Sequence, residues 1–216
     1  MNFINKYLNQ SAYDADDTKQ YPNTSLVAND VVYAMTAPVF GGLTVVYNIV
    51  DASQEVTLFN GGGSSSSSGG ESESESGGGG ALPTTMIVDG VSETPINTWR
   101  FESTGEHIVQ YEFQDDAVPE MFLYVEYVTD VTVGTDIVEI GSFAFNSPQM
   151  TSATILPTTP PSLADVQAFG GSGANYPIFV PSEAVNTYKA ATTWSSLSSR
   201  IYAIGTDLEH AENPND

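Results

Sequence analysis

The chain contains no cysteine, which excludes disulfides, thiolate-bound metals and a cysteine nucleophile. Basic residues are scarce: Lys and Arg number 5 against 27 Asp and Glu, for a formal net charge of -22. A field of that sign repels phosphate backbones and anionic lipid, so neither nucleic acid nor a membrane surface is an expected partner. Only two histidines occur, His107 and His210, and they do not form a pair at zinc-ligand spacing. No apolar run approaches the roughly 20 residues of a membrane-crossing helix. Residues 1–20 are polar and interrupted by Asp14, Asp16 and Asp17, unlike the basic start and apolar stretch of a secretory signal. The expectation is a chain made in the cytoplasm that leaves, if at all, inside a larger assembly.

What is present points to β-structure. Of 216 residues, 40% are hydrophobic, and these favour Val, Ile, Tyr and Phe, side chains that fit a pleated, half-buried surface. Residues 1–38 read as a small amino-terminal docking segment. Ser11 and Asp14 have the form of a capping box, predicting a short helix that stops before Pro22. Two short strands follow, over 25–28 and 31–35, around Asn29-Asp30 as a turn. A unit this small is expected to dock on the rest of the chain or on a partner.

Strands are predicted over 43–50, 55–59, 85–88, 98–101 and 107–113, with Asp89-Gly90 as a turn. Between the second and third, residues 61–80 read GGGSSSSSGGESESESGGGG. With no apolar side chain, this segment cannot offset its ordering entropy and is expected to be a disordered loop, spanning about 25 Å as a random coil. Glu71, Glu73 and Glu75 keep it extended and soluble; calcium or partner capture is the functional alternative. The segment either links two domains or loops out of one. Too few strands lie on each side for independent stability, which favours insertion into one small β-sandwich-like module over 43–113.

Beyond Met121 the chain repeats itself. Residues 129–133 (TDVTV) recur 22 residues later as 151–155 (TSATI), and 142–145 (SFAF) recur loosely 24 residues later as 166–169 (VQAF). Residues 176–180 occupy the next strand position. Repeats of this length predict a short solenoid over 121–204, one strand per coil, with Ile140, Phe143, Phe145 and Phe169 pointing inward. A helical cap should follow, with Ser182 as N-cap, Val185 and Tyr188 on one face, and Trp194, Leu197 and Ile201 closing the stack. Residues 205–216 read as an acidic tail, expected to fray.

The stretches EIGSFAF (139–145), MTSATI (150–155), TTPP (158–161) and above all IFVPSEAVNTYKAATTWS (178–195) resemble BspA-type leucine-rich repeats and their carboxy-terminal cap. Such repeats are common in surface proteins of gut Bacteroidetes and in phages of those bacteria. IVDGV (87–91) followed by FESTGEH (101–107) is similar to the β-module that often precedes them, although here a low-complexity insertion interrupts it. Residues 13–33, with YPNTSLV (21–27), resemble the amino-terminal segment of structural proteins from Bacteroides phages. The resemblance implies a mainly β, non-enzymatic display or adhesion protein with no catalytic residues to carry over. Together with the polar start, it implies a virion component: a head fibre, capsid decoration or tail-associated protein, with residues 1–38 docking on other virion proteins. The alternative is a bacterial cell-surface adhesin or glycan-binding protein. A host-surface glycan or protein, and a further copy of the chain, are the partners in view; no cofactor is expected.

Chemical constellations are few. His107, at a strand start, and His210, in the tail, read as solvated residues. Gly170-Gly171-Ser172-Gly173-Ala174 brushes against the nucleophile elbow, but its fifth position is Ala. Asp14, Asp16 and Asp17 hint at a calcium loop whose glycine and closing glutamate are missing. Asp115, Asp116 and Glu120 can serve glycoside hydrolysis only if they face one another across a cleft; the plainer reading is a connecting loop. Trp99, Tyr124 and Tyr127 can stack on sugar rings, or pair across strands in the core.

Overall fold

A computed structural model describes residues 40–60, 82–170 and 175–206 in full, with the strand backbone of 6–7, 25–28 and 31–34. The helix expected after Ser11, the Asn29-Asp30 turn, the loop 61–80, the Gly171–Ala174 stretch, and the tail from 207 with His210 lie outside the described residues. So do Asp14, Asp16 and Asp17. The chain divides into two compact units, Met1–Phe40 and Gly41–Asp216.

In the first unit, β1 (Lys6–Tyr7), β2 (Ser25–Ala28) and β3 (Val31–Ala34) form an antiparallel sheet in the order β1-β3-β2. β2 and β3 are the expected hairpin, with Ala28 opposite Val31. β1 carries no strand signal of its own and is recruited by pairing with β3.

The second unit is mainly strands. Its first half holds β4 (Leu43–Ile49), β5 (Val56–Thr57), β6 (Thr85–Val88), β7 (Val91–Glu93), β8 (Thr98–Trp99) and β9 (Gly105–Glu112). β4 shows why: Leu43, Val45, Tyr47 and Ile49 are buried while Thr44, Val46 and Asn48 turn outward, the period of two that a sheet with one buried face requires. β10 (Ala117–Val118), β11 (Val128–Val133), β12 (Glu139–Ile140), β13 (Ser152–Ile155), β14 (Ser162–Leu163), β15 (Ile178–Val180) and β16 (Ile201–Ala203) follow.

Eight of these strands form one sheet, ordered β16-β15-β13-β11-β4-β9-β6-β7. The strands of the small β-sandwich-like module expected over 43–113 thus share a sheet with those of the repeated region. β4 pairs antiparallel with β9 on one edge and with β11 on the other, so the sheet runs without a break into the repeated region. β5 and β8 form a separate two-stranded ribbon. A local reading of strands cannot reveal that both edges of β4 are occupied.

β11, β13, β15 and β16 are parallel, and the pairing of Asp130 with Ser152 through Val133 with Ile155 reproduces the repeat offset seen in the sequence. β10, β12 and β14 form a second parallel sheet. A ladder of buried rings accompanies the two sheets. Phe122 stacks on Phe145 at 6.2 Å between centroids, Phe145 meets Phe169 at 5.4 Å, and Phe169 meets Trp194 at 5.4 Å. Each such ring stabilises the unit by about 1.5–3 kcal/mol through burial.

Ile140, Phe145 and Phe169 are fully buried, as expected. Phe143 is not: it sits half-buried in a turn with φ 55°, a left-handed backbone that swings its side chain out of the ladder. At the carboxy end, helix α1 (Val185–Ala190) follows a 3-10 turn over Ser182–Ala184. Ser182 caps no backbone N–H; its hydroxyl donates to Glu183 instead. Tyr188, Trp194, Leu197 and Ile201 are buried. Tyr188 donates its phenol to the Pro157 carbonyl and Trp194 its indole N–H to that of Pro161, so each ring that closes the ladder also satisfies its polar atom. No helix among the described residues is long and apolar enough to cross a membrane.

Candidate functional site

A cleft of about 300 Å³ opens between residues 54–60, which carry β5, and the loop 124–127. On the first wall Val56 is buried and its neighbours Glu55 and Thr57 face solvent, as the alternation of an extended segment dictates. On the second, Val125 is buried while Tyr124 and Glu126 on either side are exposed. Each wall is thus pinned by one apolar side chain that turns its polar or aromatic flanks into the cleft.

Hydrogen bonds brace both walls. The Asn60 N–H donates to the Met121 carbonyl (2.7 Å) and its side-chain amide to that of Leu123 (2.5 Å). The Tyr124 N–H donates to the Asn146 carbonyl, and the Asn48 N–H to that of Tyr127. Ser147, a buried hydroxyl, donates to the Val125 carbonyl. At the near rim, the Ser53 hydroxyl and N–H and the Gln54 amide all donate to Asp51. The Ser53 hydroxyl above all holds the Asp51 carboxyl below its ordinary range; the ionised carboxylate in turn fixes Gln54 at the edge of the cleft.

Tyr124 is the side chain that stands out. It is 75% exposed, with φ 56°, and Tyr127 has φ 69°. Both are left-handed conformations that cost a non-glycine residue about 1–2 kcal/mol and persist where surrounding contacts impose them. Tyr127 is half-buried against the core. The lining combines two tyrosines, the carboxylates of Glu55 and Glu126, the amides of Gln54 and Asn60, and the Thr57 hydroxyl, with no Lys or Arg among them. Such a surface offers stacking and many acceptors and disfavours an anion.

Of the residues singled out in the sequence, Tyr124 and Tyr127 come together here, while Trp99 packs on the core beside β5. Asp115 and Asp116 are exposed on the turn before β10, and Glu120 is half-buried after it; none lines this cleft. Among the described residues no group of three or more His, Asp or Glu is placed to hold a metal ion.

His107 is a correction. It is buried, its ring lies 4.3 Å from that of Phe101, Nδ1 is 2.7 Å from Asp89 and Nε2 is 3.0 Å from the Ser103 carbonyl. The Ser103 hydroxyl is 3.4 Å from the same nitrogen, giving an Asp-His-Ser grouping. A general base needs a free lone pair within about 3.2 Å of the hydroxyl; here the nearer neighbour of Nε2 is a carbonyl, itself an acceptor. The grouping ties the β6–β7 turn to the start of β9, and Asp89 also accepts from the Ile108 N–H.

Gln54, Glu55 and Thr57 were not singled out from sequence. The walls of the cleft lie far apart along the chain, and their meeting depends on the pairing of β4 with β11. Comparison with protein-family models and with curated proteins finds no match for this chain.

Proposed function

We propose that this chain is a non-enzymatic display protein, a short leucine-rich-repeat-like solenoid of the BspA type that serves as a virion component. The observation that carries the reading is the ring ladder Phe122, Phe145, Phe169 and Trp194 accompanying two runs of parallel strands, β11-β13-β15-β16 and β10-β12-β14. Its last rung falls in the stretch 178–195 that most resembles the repeat family's cap. A stack whose every layer buries one ring and seals with a lid is a rigid scaffold, suited to presenting a loop or cleft rather than to moving around a substrate. The separate compact unit Met1–Phe40 supports a docking role for residues 1–38, with the strand module and repeats displayed for attachment.

Deletion of 1–38 tests the reading. The truncated chain is expected to keep the cooperative unfolding of residues 41–216 and to disappear from purified particles, in which mass spectrometry finds the full chain as a stoichiometric component. Incorporation of the truncated chain overturns the docking role; recovery of the full chain on a bacterial surface instead of in particles overturns the virion assignment.

A further inference from the structure

We infer that the cleft between β5 and the loop 124–127 is a binding site for a neutral saccharide, with Tyr124 as the platform on which a sugar ring lies. The inference deepens the display reading, on which it rests for its biological sense, by naming the chemical class of what is attached.

Three observations converge. A tyrosine left 75% exposed forgoes the stabilisation that burial of a large side chain supplies. It does so on a left-handed backbone held in place by the Asn60 and Asn146 contacts. The ring is therefore presented, not merely uncovered. The rim around it carries Glu55 and Glu126 as acceptors, the Gln54 amide as donor and acceptor, and the Thr57 hydroxyl as both. A pyranose offers that combination its complement: an apolar C–H face for the ring and a girdle of hydroxyls for the planar polar groups. The volume, about 300 Å³, lies at the lower end of small-ligand sites and suits one or two sugar units.

The charge narrows the class further. Two carboxylates line the cleft without a basic side chain, and the chain as a whole carries -22, so uronic and sialic acids are repelled. A simple cation satisfies the carboxylates and a tyrosine face, but it makes no use of the Thr57 hydroxyl hydrogen or of the amide hydrogens that Gln54 and Asn60 keep beyond their bonds to Asp51 and Leu123. The neutral sugar uses the whole lining.

The test uses the full chain, with 15N–1H spectra recorded against maltohexaose, cellohexaose, mannohexaose, xylohexaose, an oligogalacturonate and tetramethylammonium chloride. At least one neutral oligosaccharide is expected to shift the amides of 54–60 and 124–127, with the oligogalacturonate silent. Tyr124→Ala, at an exposed position, should fold as the parent and bind roughly tenfold more weakly, the loss of one stacking contact. Glu126→Gln should weaken binding with its unfolding midpoint unchanged. No shift with any neutral sugar, shifts with tetramethylammonium alone, or undiminished binding by Tyr124→Ala each overturn the inference. Binding to the purified chain is read separately from incorporation into particles, so loss of one leaves the other assignment standing.

Discussion

The two phenylalanines of Ser142-Phe143-Ala144-Phe145 show how one backbone angle decides a residue's energetic role. Both were expected inside from the recurrence of the SFAF pattern. Phe145 is fully buried between Phe122 and Phe169, and its N–H donates to Ala168 of the next repeat. Phe143, at φ 55°, leaves the ladder. Phe145→Ala is expected to cost about 3–5 kcal/mol, the range for an aromatic deleted from a packed core. Phe143→Ala should cost less than about half of that, both read by urea denaturation. Equal costs would mean that the ladder does not carry the repeats. The sequence could not separate the two residues, because periodicity marks which segment turns inward but not where a left-handed turn redirects a single side chain. His107 failed in the same way. Its burial depends on Asp89 arriving from a neighbouring hairpin, a contact invisible to a reading that places His107 only at a strand start.

At the scale of elements, the repeats were legible and their surroundings were not. The 22-residue recurrence became the β11–β13 register residue for residue, because identical spacing, parallel pairing and one buried ring per layer are three expressions of the same geometry. The closing element was legible in position but not in its polar chemistry: the lid is held by Trp194 and Tyr188 donating to the carbonyls of Pro161 and Pro157, not by a Ser182 cap. β16, a fourth parallel strand after the lid, carried no repeat signature. It is stitched in through Arg200 just before it, whose guanidinium reaches the carbonyls of Tyr176 and Phe169 and lies 4.5 Å from the Tyr176 ring. Trp194→Phe separates the ring from its hydrogen bond. It keeps an aromatic rung but leaves the Pro161 carbonyl without its donor, an expected loss of about 1–3 kcal/mol. Hydrogen exchange should show faster opening of β15 and β16, with β6 and β9 unchanged until global unfolding. The cleft, by contrast, was half legible: its aromatic wall was visible in Tyr124 and Tyr127, and its polar wall was not.

On the scale of the whole Gly41–Asp216 unit, the unbroken sheet predicts one cooperative transition, not the two that separate sandwich and solenoid modules would give. Buried tyrosines report on both halves. Tyr47 and Tyr111, on β4 and β9, share a hydrogen bond at 3.1 Å, and burial pushes both phenols up. Among the repeats, burial raises Tyr188 and pushes Tyr176 to about 12, against an ordinary value of 10.0 and despite the opposing Arg200 charge. Because these phenols are harder to ionise when folded, the unfolded chain binds fewer protons above pH 10. The stability they confer is complete below that pH and is lost as pH climbs, through about 12 for Tyr176 and through the raised value of each of the others. Ring-labelled tyrosine NMR, assigned by Tyr→Phe variants, can follow each phenol through an alkaline titration. If the shared β4–β11 ladder couples the halves, the four resonances change together at a single pH, together with the near-ultraviolet dichroism. Ionisation of Tyr47 and Tyr111 in one step and of Tyr176 and Tyr188 in another would mean that the sheet, although continuous in its hydrogen bonds, is not continuous in its free energy.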